Sequence, residues 1–333
     1  MTDPAAGLQK KVLPALVLCL ASKMEDKKAS LLPRKEGGDR AQGFSVLQWN
    51  TLADGLCDAH AFPHVDEAVL SWNYRRSMLL QEITRHSPDV ICLEEVDHYD
   101  YFESALTEEG YNGLFKKKVG DGNDGCALFY KISKFVFASS DRFELLEEHR
   151  CIEYGNGSSQ VAIVIVLGLK AADVTTTQRP KVCVAMTHLK AKPGFEEQRY
   201  NQGRLLLEFV QSLFTKEEEK EKEMVPLVVV GDFNDVPSSL VCEYFRNGRD
   251  NPFQLKSAYS SYDNTGEEPY STYKRREEEV LRTIDYIWYS HQTLRPCRLL
   301  EIPLPPALKF PQRLPAKDYP SDHLALAAEF IWL

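Results

Sequence analysis

Short apolar runs that end in a polar or charged residue recur along this chain. One of them, residues 227–230, consists of Leu and Val between a proline and a glycine, and it predicts a buried strand. Asp232 and Asn234 follow on one side of an extended turn, while Phe233 points the other way, into the core. A carboxylate and an amide at a strand end suit a metal ion, a water molecule or a phosphate oxygen. Gly-Asp and Asn-Asp are also ordinary turn sequences, so this stretch alone leaves both interpretations open.

The same pattern of apolar and polar positions predicts the other elements. Strands are expected at residues 44–50, 89–96, 111–117, 126–130, 160–169, 182–188, 283–289 and 324–332. Helices are expected at 68–85, 99–109, 196–213 and 240–245, with loops around the polar YSTYKRR stretch and at 302–315. The pattern is typical of an α/β fold in which a two-sheet β-sandwich is flanked by helices. We expect one catalytic domain at residues 44–333.

Residues 1–43 differ from the rest of the chain. Lys, Glu, Gly and Pro dominate residues 23–43 without a sustained period, which predicts a flexible N-terminal arm. The apolar block at residues 12–21 is too short to span a membrane and resembles part of a targeting segment. We therefore expect a cytoplasmic protein, or a mitochondrial one if this block acts as a presequence.

Composition narrows the class of protein. With 43% hydrophobic and 27% charged residues, the 333-residue chain has the make-up of a globular protein that can bury a large core. Its net charge of -9 disfavours a protein that coats long nucleic acid. None of its eight cysteines lies in a C-x-x-C pair, which disfavours a zinc finger. Cys92, Cys126 and Cys183 lie inside apolar, strand-like runs, where a thiol behaves as a small hydrophobic group, and this suggests a reducing compartment.

Seven polar residues fall at, or within a residue or two of, a predicted strand end. They are Asn50, Glu95, His188, Asp232, Asn234, Asp285 and His323. Taken one at a time, each has an ordinary structural explanation as a turn, cap, surface or core residue. Together they provide a hard carboxylate ligand for Mg²⁺, groups that position water, and an imidazole next to carboxylates. This set predicts metal-assisted hydrolysis of a phosphate ester.

The motifs LQWN, LEEV, THLKAK, GDFN, TIDYIWY and SDHL occur in this order. In this respect the chain resembles the endonuclease/exonuclease/phosphatase superfamily, whose fold is a two-sheet α/β sandwich. The resemblance implies that Glu95 is the Mg²⁺ ligand, with Asn50 beside it. It also implies that Asp232 and Asn234 position the attacking water and the phosphate. His188 and the Asp285–His323 pair would then contact the phosphoryl oxygens.

Longer strings narrow the resemblance to one branch of the superfamily. VDHYDYF, NDGCALFY, EPYSTYK and YPSDHL are similar to a branch close to the poly(A)-shortening deadenylases, whose members remove the 2′-phosphate of NADP(H). We therefore expect a monomeric, Mg²⁺-dependent NADP(H) 2′-phosphatase. Basic residues beside the motifs would bind the anionic substrate, and the candidates are Lys118, Lys190, Lys192 and Arg276.

Some residues depart from the pattern of that branch, and two rival functions stay open. Glu94 stands where relatives usually carry Gln, and it either tightens the metal or faces the edge of the core. Lys192 replaces a typical Arg, and Tyr273 replaces a Trp. A poly(A) 3′ exoribonuclease would share the site but cleave a diester along a strand. A non-catalytic RNA-binding or scaffolding module would have degraded ligands, and none is degraded here.

Overall fold

A computed structural model describes residues 43–137, 150–155, 158–170, 180–214, 226–251, 253–260, 262, 267–275, 279–302 and 314–333. The predictions of a flexible arm and a targeting segment concern residues that, apart from Gly43, lie outside these ranges. Within the described part of the chain, no helix combines the length and the apolar character needed to cross a membrane.

Most strands belong to one of two mixed sheets, here called the first and the second sheet. The first sheet has the order β14-β15-β1-β2-β4-β3, built from Leu294–Leu299, Leu326–Trp332, Gly43–Asn50, Val90–Val96, Gly125–Lys131 and Tyr111–Lys117. The second sheet has the order β10-β13-β9-β8-β7-β5, built from Leu255–Ser257, Asp285–Ser290, Leu227–Asp232, Lys181–His188, Val161–Leu169 and Phe135–Phe137. Strand β6 (Arg150–Glu153) also pairs with β7, and β11 (Thr272–Arg275) pairs with β12 (Glu279–Arg282) in a separate hairpin.

The alternation of side chains along each strand explains how the layers pack. In β9, Val228 and Val230 face the other sheet, whereas Leu227 and Val229 face the helices outside. The same alternation holds in the other central strands, and it fills the space between the sheets with buried apolar side chains. Burying each such side chain contributes roughly 1.5–3 kcal/mol, which can offset the cost of burying polar groups at one end of this layer.

Helices cover the outer face of each sheet. Helices α2 (Trp72–Thr84) and α3 (Tyr99–Glu108) follow the short α1 (Glu67–Leu70), and they pack on the first sheet. Helices α4 (Glu196–Ser212) and α5 (Leu240–Asn247) pack on the second sheet. The predicted α/β fold, a two-sheet sandwich flanked by helices, is therefore confirmed.

Two local predictions are wrong, and several short strands were not predicted. The helix expected at 68–85 is divided between α1 and α2, because Ser71 has an extended backbone and its hydroxyl donates to the Ala68 carbonyl. The YSTYKRR stretch, expected to be a loop, contains strand β11, which pairs with β12. Strand β14 was not predicted; it contains Pro296, which an edge strand tolerates beside a bulge.

Candidate active site

The side chains of the candidate site project into the layer between the two sheets, at the end where the central strands stop being apolar. In the second sheet, His188 of β8 and Asp285 of β13 both pair with Asp232 of β9, so the three lie in a row. In the first sheet, Asn50 of β1 pairs with Glu94 of β2. All five are buried. With Gln48 and His323 they form what we call the polar cluster.

Gly231 allows the row in the second sheet to form. Its φ is +149°, and a Cβ placed there would lie 1.8 Å from the carbonyl oxygen of Thr187 on β8. Any larger residue would push β9 away from β8, and the contact between His188 and Asp232 would be lost with it. The glycine of the GDFN motif is therefore required by close packing between strands.

Amide side chains connect the two sheets at this end. Nδ2 of Asn50 donates to Oδ2 of Asp232 at 3.1 Å. Nε2 of Gln48 donates both to Oε2 of Glu94 at 2.9 Å and to Oδ1 of Asp285 at 3.1 Å. The bonds from Asn50 to Asp232 and from Gln48 to Asp285 span the space between the sheets, so the polar cluster fixes the separation of the sheets as well as its own geometry.

The predicted Asp285–His323 pair is present. Nδ1 of His323 lies 2.9 Å from Oδ2 of Asp285, and the Ser271 hydroxyl donates to the same oxygen at 2.7 Å. Burial alone would lower the pKa of His323, but the carboxylates of Asp285 and Asp322 outweigh it and raise the pKa to about 10. His323 is therefore an imidazolium at neutral pH, with Asp285 fixing its orientation.

Asp232 and His188 have the opposite electrostatic character. Burial, reinforced by the charge of Asp285, raises the pKa of Asp232 to about 7. Burial, reinforced by Lys118, lowers the pKa of His188 well below its usual range, so this ring is neutral. Nε2 of His188 lies 3.6 Å from Oδ2 of Asp232, and its Nδ1 has no hydrogen-bond partner among the described residues. The site thus combines a carboxylate that titrates near neutrality with a buried ring nitrogen that a ligand can satisfy.

Asn234 holds the turn after β9. Its backbone N–H donates to Oδ1 of Asp232 at 2.8 Å, and its side chain donates to the carbonyl of Leu189 at 3.1 Å. Its φ of +52° is a left-handed conformation that Asn tolerates better than most residues. Asn234 therefore fixes Asp232 and also links the turn to the segment that follows His188.

Glu95 follows Glu94 at an irregularity of β2 and has a φ of +55°, which removes it from the regular strand alternation. Its Oε2 accepts a hydrogen bond from the Ala53 backbone at 3.3 Å, and its charge raises the pKa of Lys118 against the effect of burial. Ligand atoms of Asp232, Asp285 and His323 lie within 4.8 Å of one another.

The carboxylates of Asp232 and Asp285 in this set fit a divalent metal ion, whereas His323 as an imidazolium has no lone pair to offer one. Carboxylate oxygens are the ligands that hard cations prefer, and a cation would relieve the repulsion that raises the pKa of Asp232. The assignment of Glu95 as the metal ligand stays a prediction.

Glu94 faces the core between the sheets, the second of the two alternatives that the sequence left open. Burial, reinforced by Asp285, raises its pKa well above the usual value. Its side chain therefore stays protonated to a higher pH than an ordinary carboxyl group, which reduces the negative charge that it adds beside the metal site.

Four lysines lie near the polar cluster either in space or along the chain, and we call them the cationic rim: Lys118, Lys190, Lys192 and Lys274. The positive charges of Lys118 and Lys274 act on His188, which places both near the cluster. Lys118 also pairs with Asp124 at 2.5 Å, and Lys274 pairs with Asp322 at 3.0 Å. Lys190 and Lys192 lie two and four residues after His188. The remaining predicted contact, Arg276, lies outside the described residues.

The structure brings together the predicted residues Asn50, His188, Asp232, Asn234, Asp285 and His323. Sequence reasoning missed Gln48 and Ser271, which orient Asp285 from two sides. The signal for Gln48 was available, because it lies two residues before Asn50 and so shares its face of β1. Ser271 gave no such signal, since the YSTYKRR stretch reads as a polar loop.

Comparison with known proteins identifies the fold and its relatives. The model of the "Endonuclease/Exonuclease/phosphatase family" matches residues 47–323. Nocturnin of Rattus norvegicus is 37% identical over 299 residues, which cover 86% of this chain and 65% of that protein. Nocturnin of Xenopus laevis is 36% identical over 313 residues, covering 90% and 75%. Carbon catabolite repressor protein 4 homolog 1 of Arabidopsis thaliana is 28% identical over 350 residues, covering 86% and 57%.

Solved structures agree with the sequence relatives. The catalytic domain of human Nocturnin with a bound sulfate anion has a TM-score of 0.67 at 33% identity, covering 88% of this chain and 95% of that one. ANGEL2, a 2′,3′-cyclic phosphatase in complex with adenosine-2′,3′-vanadate, has a TM-score of 0.73 at 26% identity, covering 90% and 99%. Taken with the two-sheet sandwich and the polar cluster at its end, these matches show that the chain belongs to the endonuclease/exonuclease/phosphatase family of hydrolases and that its homologues include the nocturnins.

Proposed function

We propose that this protein removes the 2′-phosphate of NADP(H), giving NAD(H) and inorganic phosphate, in a reaction that depends on Mg²⁺. The observation that carries the proposal is the distribution of charge. The whole chain has a net charge of -9, yet Lys118 and Lys274 lie near the polar cluster, and Lys190 and Lys192 follow His188 by two and four residues. A local group of positive charges in an acidic protein suits a small, multiply charged anion better than a long polyanion.

The relatives support the same substrate class. The chain is similar to nocturnins over most of its length. The motifs VDHYDYF, NDGCALFY, EPYSTYK and YPSDHL carry the resemblance that implies action on NADP(H). ANGEL2 is described with an adenosine that carries vanadate at its 2′ and 3′ oxygens. The 2′-phosphate of NADP(H) is likewise attached to the ribose of an adenosine.

Mg²⁺ bound by Glu95, next to the carboxylates of the polar cluster, would neutralise charge on the phosphoryl oxygens. The protein's own residues would carry the proton chemistry. Burial and the charge of Asp285 raise the pKa of Asp232, which makes its carboxylate a better proton acceptor than an ordinary aspartate, so Asp232 is the candidate general base. The imidazolium of His323 and the neutral ring of His188 would each donate a hydrogen bond to phosphoryl oxygens, where negative charge develops.

A poly(A) 3′ exoribonuclease is the second candidate function. The plant relative carries the name of a carbon catabolite repressor 4 homologue. A further relative is the Ccr4 3′-5′-exoribonuclease subunit of Aspergillus clavatus, at 27% identity. Such an enzyme would use the same polar cluster but would need aromatic side chains that stack on successive bases. Phe195 is exposed beside Lys190, whose Nζ lies 5.0 Å from the ring centroid, and it could serve in that role.

One comparison tests the proposal. Phosphate release from NADPH and shortening of oligo(A) are measured at equal enzyme concentration with Mg²⁺, and Glu95→Ala serves as the inactive control. We expect NADPH to be the better substrate in kcat/KM, and activity on either substrate to disappear in chelator. Shortening of oligo(A) without phosphate release from NADPH would replace the proposal with the exoribonuclease. Activity on neither substrate would support a binding module.

A further inference from the structure

The segment that follows β8 carries two of the four lysines of the cationic rim, in a conformation that needs support. Lys192 has a φ of +81°, and Gly194 has a φ of +85°. The left-handed region costs little for glycine but is unfavourable for a residue with a Cβ, such as lysine. Since Lys192 is exposed, its own side chain does not hold this backbone through packing. Other residues must therefore stabilise the segment.

Arg199 provides that support from the first turn of α4. Only 3% of Arg199 is exposed, which is unusual for a charged residue. Its Nη1 donates to the carbonyl of Lys190 at 3.0 Å and to the carbonyl of Lys192 at 2.9 Å. One buried guanidinium thus holds the backbone of both lysines.

The same guanidinium links this segment to the end of β9. Nε of Arg199 donates to Oδ2 of Asp235 at 2.7 Å, and Asp235 comes directly after Asn234. From the next turn of α4, buried Gln202 accepts a hydrogen bond from the Lys190 backbone at 3.0 Å and donates to Ser158 at 2.8 Å. The segment is therefore fixed relative to the polar cluster by side chains that do not themselves line it.

We propose that Arg199 is a positioning residue for substrate recognition. It holds residues 190–192 in the conformation in which the Lys192 ammonium reaches the part of the anionic substrate that lies beyond the reacting phosphate. The inference rests on the proposed function for the identity of that part, which in NADP(H) is the diphosphate bridge. Preorganising a charged side chain in this way strengthens binding without changing the chemical step.

The test is a double-mutant cycle between Arg199 and Lys192. Arg199→Lys keeps a positive charge near Asp235, but an ammonium cannot reproduce the planar fork that bonds two carbonyls and a carboxylate together. We expect Arg199→Lys to raise KM for NADPH about tenfold, the loss expected when one charge-assisted contact is misplaced. Its kcat should stay within about twofold, and KM for adenosine 2′-monophosphate, which lacks the diphosphate bridge, should not change. Lys192→Ala should show the same pattern.

The double variant separates positioning from a merely structural role. If Arg199 acts through Lys192, adding Arg199→Lys to Lys192→Ala should raise KM no further. Arg204→Met is the matched control, because Arg204 lies on the exposed side of α4 and pairs only with Glu208 at 2.5 Å among the described residues. Gln202→Leu, which removes the acceptor for the Lys190 backbone, should reproduce the KM effect more weakly and replaces Arg199→Lys if that variant does not fold.

Additive effects in the double variant, or equal losses of kcat/KM on both substrates, would overturn the inference and make Arg199 a structural residue. If the wild-type protein cleaves oligo(A) and not NADPH, the proposed function fails, and the same cycle on oligo(A) still tests the coupling of Arg199 to Lys192. If the wild-type protein cleaves neither NADPH nor oligo(A), the inference has no anionic substrate to act on, and both the proposed function and the inference are overturned.

Discussion

The polar cluster and the cationic rim lie side by side, but they are built in different ways. Side chains of the cluster project mainly from strands of the two large sheets, are buried, and hydrogen-bond to one another across the sheets. The lysines of the rim lie outside these sheets and are more exposed. Lys118 pairs with Asp124, Lys274 pairs with Asp322, and Lys190 lies over the ring of Phe195.

The difference predicts two kinds of defect. Buried groups with several fixed partners cannot rearrange, so a change in the cluster should lower kcat. Lysine side chains are flexible, so the remaining lysines of the rim still attract the anionic substrate when one of them is lost. A change in the rim should therefore mainly raise KM.

The largest expected effect is at Asp232. Asp232→Asn removes the group that titrates near neutrality, and an amide cannot accept from both the Asn234 backbone and Asn50 without placing its own N–H₂ against a donor. We expect kcat to fall by about 10³-fold, within the range for loss of a general base, with KM changed by less than about threefold. Steady-state kinetics check this, with the exposed Asp100→Asn on α3 as control. A kcat within tenfold of the wild type would mean that Asp232 is not the base.

The next effect concerns pH. His323 must be protonated to donate its hydrogen bond, and Asp232 must be deprotonated to act as the base. Wild-type activity should therefore fall in acid, where Asp232 takes up a proton, and fall again as pH rises through about 10. Asp285→Asn removes the negative charge that holds the proton, while burial, which lowers the pKa of His323, remains. The asparagine also cannot accept from Gln48, Ser271 and His323 together.

The Asp285→Asn variant should therefore lose activity at a lower pH than the wild type, and its deficit should be smallest in acid. Profiles of kcat/KM between about pH 6 and pH 10 measure the shift. Ser271→Ala, which leaves the Asp285 charge in place, is the matched variant and should lower activity with little change in the profile. Superimposable profiles for Asp285→Asn and the wild type would show that Asp285 does not control the proton on His323.

The effect of a change in the rim should be smaller, and it should fall on KM instead of kcat. Lys118→Met removes a positive charge that lies near both Glu95 and His188. We expect KM for NADPH to rise about tenfold, with kcat within about threefold. Because the same charge opposes a cation at Glu95, the half-saturating Mg²⁺ concentration should fall.

Weaker binding of NADPH together with tighter binding of Mg²⁺ would distinguish a change in the rim from a change in the polar cluster. The exposed neighbour Lys117→Met provides the control and should change neither constant. A Lys118 variant that needs more Mg²⁺ would place that lysine away from the metal site and contradict the arrangement.

Local pattern was enough to predict the strands of the cluster but not the contacts between them. Alternation in VVVGDFN places Asp232 and Phe233 on opposite faces, and both lie where it predicts. The hydrogen bond from Ser271 to Asp285 depends on how a hairpin packs against β13. The hydrogen bond from Arg199 to the Lys190 carbonyl depends on how α4 packs, because Arg199 lies nine residues after Lys190. Propensity and spacing carry no information about such contacts, because these arise only when the elements pack.

The smallest expected effect is at Glu94, and it affects stability instead of activity. Burial and the charge of Asp285 raise the pKa of Glu94 in the folded state well above its unfolded value. Between these two pKa values the folded protein binds a proton that the unfolded chain does not, so the free energy of unfolding falls as pH rises through that window. Each pKa unit corresponds to about 1.4 kcal/mol.

Glu94→Gln keeps an acceptor for Nε2 of Gln48 and removes the titration. The variant should therefore match the wild type near pH 4 and be more stable by about 1 kcal/mol or more near pH 8, with kcat within about twofold. Denaturant unfolding of both proteins at the two pH values measures this, with the exposed Glu108→Gln on α3 as control. A Glu94→Gln variant that loses stability as steeply as the wild type between these values would mean that Glu94 is already ionised in the fold and lies, after all, beside the metal as a charge.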